Sequence, residues 1–508
     1  MEHKRIDRPA FITSVAIIVV VCIPLAMAPD TAGRILQQIY DYIAQEFGVV
    51  FLLASVAVNG FLIWLAVSRF GKVRMGAPDQ APEFDTFSWI AMLFCAGIGG
   101  GLIYWCGTEW AFYYQSPPFG AEPYSVEAAE WASTYGLFHW GFTAWAFYCL
   151  PTLAVAYPYY VKKLDHMRFS NSCHYFLPRG EIGPAARFID FLFIMAMIGG
   201  AATSLGFSTP MIATCIAWLF DIENSFTLEV AVMFLCRPLF ATSVWVGLRK
   251  GIRTLSDVKL GIGILLLLFI LIVGPTAFLL KTSLNSVGVL FQNLVRMNFW
   301  SDPFTDSSFV EDWTVFYWAW WIAFAPYVGM FVARISQGRT IRQIIIGMLV
   351  FGSLGCWVFY MVVGNYALFL ELEGIVRSTE IINEQNQSAA IVATLSQLPL
   401  PVIVIGVFCL MAIIFAATTY DSASYTLASS ATLHLPAGDD PSRGHRVFWA
   451  FALGALPITL LFIGGLKVMQ VVLLIVSVPI LFVGIVMSVA LVKSLHADES
   501  AASGVTVE

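Results

Sequence analysis

Ser88-Trp89-Ile90-Ala91-Met92-Leu93-Phe94-Cys95-Ala96-Gly97-Ile98-Gly99-Gly100-Gly101-Leu102-Ile103-Tyr104-Trp105-Cys106-Gly107-Thr108 is a run of 21 residues without a charge. That is about the length a helix needs to cross the hydrocarbon of a bilayer. At its centre, Gly97 to Gly101 places four glycines in five positions. Each costs a helix about 1 kcal/mol relative to alanine, so the run predicts a spanning helix that unwinds midway. The competing reading is a small-residue face against which a neighbouring helix packs closely.

Working outward, similar apolar runs occupy residues 10–28, 49–69, 133–160, 188–220, 228–247, 257–280, 313–335, 342–370, 399–433, 446–465 and 468–492, giving about twelve candidate spans. Charged residues make up 12% of the 508, against about 25% in soluble domains. The chain also exceeds the ~250–300 residues at which single soluble cores stop growing. These facts exclude a soluble enzyme, a disordered chain and a nucleic-acid binder, so no nucleic acid is expected as a partner. Continuous apolar runs also exclude an outer-membrane barrel, whose strands alternate. The expectation is an all-α polytopic membrane protein in contact with lipid. The first run follows Lys4, Arg5 and Arg8 without a small-residue cleavage site, and reads as a retained helix and not a signal peptide.

Of the 27 basic residues, 20 fall in the N-terminal segment and alternate loops (69–74, 162–187, 249–253, 334–342, 443–446) and at Lys493. Five lie on the opposite side, and Arg237 and Lys259 sit within spans. The asymmetry predicts both termini in the cytoplasm. The longest polar stretches, 281–312 and 371–398, are then external, with a short surface helix expected around Glu384 to Gln397. The tail after His496 is small, polar and expected to be mobile, and no large regulatory domain is expected at either terminus.

Nine cysteines lie in apolar runs without metal or redox spacing and read as small core hydrophobes. Of seven histidines only His139 is inside a span. No metal site, catalytic cluster or cofactor is expected. Charges at membrane depth are costly and mark functional positions by default; they are Glu109, Arg237, Asp257, Lys259 and Asp421, each also readable as a buried pair or a snorkelling end.

Span eight carries Pro326 and Gly329, which predicts a second interrupted helix, five spans after the first. Broken helices at matching positions of two halves point to a midplane site in an inverted-repeat transporter. The chain then divides into two N-terminal helices (1–87), a first five-helix repeat (88–285), an external segment with a second five-helix repeat (286–495), and a cytoplasmic tail (496–508). Spans four and eight are also aromatic: His139-Trp140-Gly141-Phe142-Thr143-Ala144-Trp145-Ala146-Phe147-Tyr148 and Trp313-Thr314-Val315-Phe316-Tyr317-Trp318-Ala319-Trp320-Trp321. Trp313 and Trp318 read as interfacial anchors. Trp140, Trp145, Tyr148, Trp320 and Trp321 lie deeper. Electron-rich ring faces in a low-dielectric interior hold a cation that has no hydrogen to donate, at ~0.5–2 kcal/mol per contact. They suggest a quaternary ammonium or sulfonium headgroup.

Asp312 to Trp321, followed by Ala333-Arg334-Ile335-Ser336-Gln337-Gly338-Arg339-Thr340, resembles the signature of the betaine/carnitine/choline transporters. The likeness extends to the glycine run with Gly107-Thr108-Glu109, to Phe138-His139-Trp140, to Thr203-Ser204-Leu205-Gly206 and to Asp421-Ser422-Ala423-Ser424. It implies a LeuT-like fold of twelve helices in the bacterial inner membrane, usually trimeric, moving trimethylammonium compounds or sulfonium analogues. Carried over, the aromatic box falls on Trp140, Trp145, Tyr148, Trp320 and Trp321. Phe324 stands where sodium-coupled members have a further tryptophan, and Phe112 resembles an aromatic position lining the carnitine carriers' site. Backbone amides freed near Gly97, Gly99 and Gly101 could hold a substrate carboxylate.

The resemblance also bears on coupling. Two threonines of one sodium site are replaced by Met197 and Ala201, which bring no side-chain oxygen. The second family site falls on Cys95, Ile98, Phe415, Thr418 and Thr419. Lys259 stands where sodium-independent exchangers carry an arginine, so a fixed ammonium could replace the ion's charge; pairing with Asp257 or reaching the cytoplasmic surface is the plainer alternative. The expectation is a secondary transporter of a betaine-, carnitine-, choline- or dimethylsulfoniopropionate-type compound that does not use sodium. The alternatives are a sodium symporter of the same substrates and a channel or ligand sensor.

Overall fold

A computed structural model describes residues 11–503 apart from 13–14, 17–22, 24–26, 98, 165–166, 178–182, 233, 235–252, 306, 433–440 and 454–465. Lys4, Arg5, Arg8, Arg237, most of the predicted spans 10–28, 228–247 and 446–465, and the side chains of Ala201 and Asp421 lie outside the described residues. Among those described, the regular elements are all helical, with one isolated bridge between Arg74 and Thr340.

Helix α1 (Pro29–Val67) is followed by α2 (Thr86–Gly97), α3 (Gly101–Trp105), α4 (Glu109–Gln115), α5 (Val126–His139) and α6 (Phe142–Tyr160). Then come α7 (Pro184–Phe220), α8 (Arg253–Val273), α9 (Thr276–Phe299), α10 (Phe316–Ile335), α11 (Ile341–Leu372), α12 (Pro401–Ser430) and α13 (Leu466–Ser503). Within the described residues five helices are long and apolar enough to cross a membrane, or six if the bent pair α8–α9 is one span. The chain is an all-α polytopic membrane protein.

The first helix break is where the glycines placed it, between Gly97 and Gly101. The second is not. Helix α10 runs unbroken through Pro326 and is buried along nearly its whole length. A membrane helix tolerates the one hydrogen bond that proline removes when its neighbours pack closely. Here the space beside Gly329 is filled by Pro151 of α6, whose atoms would lie 2.8–3.0 Å from an added Cβ. The unexpected break is in predicted span four, between α5 and α6 at Trp140–Gly141. A broken helix leaves carbonyls without partners, and two indoles supply them. Trp321 Nε1 donates to His139 O at 2.9 Å, and Trp357 Nε1 donates to Leu137 O at 2.8 Å. Gly141 is required at that break, since an added Cβ would lie 2.4 Å from Leu137 O.

Three other expectations change. The external stretch 281–312 begins inside α9, which leaves α8 at 113°. The helix Gln387–Leu395 is largely buried, so it is an inserted helix and not a surface one. The segment 496–503 continues α13 and is docked: Asp498 accepts hydrogen bonds from Tyr157 and Lys162, and Arg69 pairs with Glu499 at 2.7 Å.

The Ala333–Thr340 segment clasps the loop after α1. Met75 N donates to Arg339 O at 2.9 Å, Gly338 N donates to Met75 O at 2.7 Å, and the Arg339 guanidinium lies 4.1 Å from the Trp89 ring. Gly338 has φ +81°, and a Cβ there would sit 2.3 Å from Ala81 O. Gly338→Ala should therefore lower stability by about 1–3 kcal/mol, read as a fall in melting temperature of the purified protein. An unchanged melting curve would mean the clasp adapts freely.

Candidate substrate site

The aromatic residues of α5, α6 and α10 meet in one place. Trp320 and Trp321 stack with centroids 5.1 Å apart and planes 13° from parallel. Trp140 stands edge-on to both, at 5.9 and 4.8 Å. Tyr148 lies 5.9 Å from Trp321 and 5.7 Å from Trp145, both edge-on, and Phe324 is 6.4 Å from Tyr148. Trp140, Trp145, Tyr148, Trp320, Trp321 and Phe324 are all buried. The Tyr148 hydroxyl is buried and has no hydrogen-bond partner among the described residues.

Glycines give these rings their room. A Cβ on Gly97 would lie 2.7 Å from Trp145, and one on Gly101 would lie 2.8 Å from Trp320. Gly99 instead faces Ser204 Oγ and Thr419 Oγ1, at 2.4 and 3.0 Å from an added Cβ. The break in span three and the packing face therefore coexist, since the glycines that interrupt the helix also admit the indoles. Gly352 and Gly200 do the same for Trp145 and Phe324, at 2.3 and 2.4 Å. Gly352 closes the wide-turn segment Gly347–Gly352 of α11, and Tyr360 opens a second, Tyr360–Gly364. Such π-turns shift a helix's register and recur at functional sites; nothing in the sequence pattern signalled them.

Phe112 stands apart from this ring set. It packs on Trp313 at 5.0 Å and Trp105 at 6.3 Å, in an adjoining cluster that reaches Trp320 through Tyr317 and Phe316. Trp318, read as interfacial, is fully buried against Phe138, His139 and Phe147. Trp313 is half-buried.

Behind the rings lies a polar centre. Glu109 is wholly buried. Its Oε1 accepts from Tyr113 Oη at 2.5 Å; its Oε2 accepts from Trp140 Nε1 at 3.0 Å, from Tyr317 Oη at 2.6 Å and from Tyr360 Oη. His139 Nδ1 is 3.5 Å from Oε1 and 2.8 Å from Tyr113 Oη, and its Nε2 is 3.1 Å from Thr314 Oγ1. The sequence marked Glu109 and His139 as charges or histidines at membrane depth, but not the three tyrosines that join them.

Lys259 is buried between α8 and α12. It is 1% exposed, its Nζ 3.6 Å from the Phe415 ring centroid and 3.4 Å from Thr418 Oγ1. Thr418 and Thr419 both donate to Phe415 O at 3.0 Å. Asp257, two residues earlier, is exposed, so the lysine points inward while that carboxylate faces out. Met197 is buried in α7. Among the described residues no group of three or more histidine, cysteine or acidic side chains could hold a metal ion.

A multi-helix membrane protein with a buried aromatic cluster beside a broken helix is a candidate carrier. The sequence profile described as "BCCT, betaine/carnitine/choline family transporter" matches residues 9–500, and the chain belongs to that family: it is a transporter and not an enzyme. It is similar to the "Carnitine transporter" of Acinetobacter baumannii, 32% identical over 97% of this chain and 89% of that one. It is also 34% identical to the "Uncharacterized transporter YeaV" of Escherichia coli K12, over 86% and 91% of the two chains. Among solved structures, a Na+-coupled sialic acid symporter in a substrate-bound outward-open state aligns at 13% identity and a TM-score of 0.40, over 88% of this chain and 82% of that one.

Proposed function

We propose that the chain carries a small quaternary-ammonium or sulfonium compound, of the betaine, carnitine, choline or dimethylsulfoniopropionate type, by alternating access and without sodium. The observation that carries this reading is the convergence of six buried aromatic side chains from the α5–α6 break, α6 and α10 around the glycine break. Ring faces offer no lone pair to an N–H and so suit a cation that has none; the nearest carboxylate, Glu109, is already engaged at the polar edge of Trp140. A zwitterion's carboxylate would find the Tyr148 hydroxyl and the backbone amides after Gly97. The name of the Acinetobacter relative makes carnitine one member of the panel to test first.

Coupling follows from Lys259. An ammonium held at Phe415 and Thr418 supplies the charge that a sodium ion would bring to the same residues, without being transported. Exchange or uniport is then the transport mode. The basic-residue asymmetry supports cytoplasmic termini in a bacterial inner membrane, and family membership supports a homotrimer with two inverted five-helix repeats.

The chain's own tryptophans report binding. In a competition panel on purified protein, carnitine, betaine, choline or dimethylsulfoniopropionate should quench fluorescence saturably, while a primary amine of equal size should not. Preference for the primary amine would reject the onium reading. Flux through proteoliposomes that does not saturate, with no stimulation by internal substrate, would favour a channel.

A further inference from the structure

The carboxylate of Glu109 is surrounded on every side by donors. Four hydrogen bonds reach it from Tyr113, Trp140, Tyr317 and Tyr360, which matches the roughly four lone-pair positions of an ionised carboxylate. The Trp140 indole can only donate, so Oε2 is the acceptor in that bond. His139 is the neighbouring basic group, 3.5 Å from Oε1, and a neutral ring satisfies both its contacts, with Nδ1–H donating to Tyr113 Oη and Nε2 accepting from Thr314 Oγ1 in that tautomer. Among the described residues no lysine or arginine forms an ion pair with Glu109. A buried charge whose neighbours are dipoles and not an opposite charge is costly to keep. The arrangement is accounted for if the opposite charge arrives with the ligand.

The rings that would receive that ligand lie one indole away. Trp140 turns its N–H edge to Glu109 and shares the cage with Trp321 at 4.8 Å and Trp320 at 5.9 Å. Tyr317, the second donor, stacks on Trp321 at 5.7 Å and on Trp320 at 6.1 Å. A carboxylate accepting from a ring's polar group enriches the ring's electron density, and its own field is weakly screened in a dry interior. We infer that Glu109 is the fixed counter-charge of the cage: it attracts the onium group through Trp140 and Tyr317 without touching it, and so selects cationic over neutral substrates of the same shape. This rests on the onium reading above. Glu109 is a positioning residue, acting through the rings it holds.

The test uses tetramethylammonium, a permanent cation with no other function, and uncharged 2,2-dimethylpropan-1-ol of similar bulk. Affinities of both are measured by tryptophan quenching on the purified full-length protein, for the wild type, Glu109→Gln and Glu109→Asp. Glu109→Met serves as the second uncharged variant should Gln fail to fold. Glu109→Gln should weaken tetramethylammonium about tenfold and the alcohol little, while Glu109→Asp keeps most of the preference for the cation. If Glu109→Gln weakens both probes alike, or neither, the carboxylate is only a tie between helices and the inference is overturned. If tetramethylammonium does not bind the wild type, the onium reading itself fails and this inference with it.

Discussion

Trp320→Ala should weaken binding of a trimethylammonium substrate about 30-fold and reduce its uptake in proportion. Two effects add. The stacked pair with Trp321 and the edge contact from Trp140 are lost, and a desolvated ring–cation contact of about 2 kcal/mol goes with them. The indole also fills the space beside Gly101, so its removal leaves a cavity in the break of span three. Trp320→Phe keeps a ring and should recover much of the loss. Folding is read separately by thermal melting. An alanine variant that melts normally and binds every onium compound as the wild type does would remove Trp320 from the site.

Lys259→Ala should abolish sodium-independent uptake, by at least about tenfold. The ammonium lies between Phe415 and Thr418, so it ties α8 to α12 through a cation–ring contact and a hydrogen bond. A short cation–ring contact in a dry setting contributes about 2 kcal/mol, and its loss loosens two helices that must keep register while the carrier turns over. Substrate affinity should change little, because the ammonium contacts Phe415 and Thr418 and not the cage rings; the loss should appear in rate. With the ammonium gone, the hydroxyls of Thr418 and Thr419 remain, and weak sodium stimulation in the variant would agree with the lysine having replaced an ion. Sodium-dependent transport in the wild type that survives Lys259→Ala would contradict the proposal.

Sequence and structure agree where a local rule acts and part where tertiary packing decides. Continuous apolar runs specify membrane helices because the bilayer demands their length and polarity. The glycine run breaks a helix for a cost already visible in the chain. Pro326 did not break α10, since close packing against α6 compensates for one missing bond. The break at Trp140–Gly141 has no glycine cluster to announce it. It depends on Trp321 and Trp357, 181 and 217 residues beyond Trp140, arriving to take up the exposed carbonyls. Likewise Glu109 was legible as an expensive charge, and Tyr113 lies one turn on in the same helix, but its donors Tyr317 and Tyr360 come from two other helices that no spacing in the chain relates to it. The docked end of α13 was missed for the same reason: a small polar tail reads as mobile until Tyr157 and Lys162 meet Asp498.

Family membership fixes the class of protein, and the cage of rings carries the proposal for what it moves. That proposal is tested most directly by exchange in proteoliposomes prepared without sodium. Vesicles preloaded with unlabelled carnitine, betaine, choline or dimethylsulfoniopropionate are offered the same compound in labelled form. At least one compound should enter saturably, faster from preloaded than from empty vesicles, and the rate should collapse in Trp320→Ala. If none of the four enters with or without sodium, and Trp320→Ala leaves their binding unchanged, the aromatic cage is not an onium site.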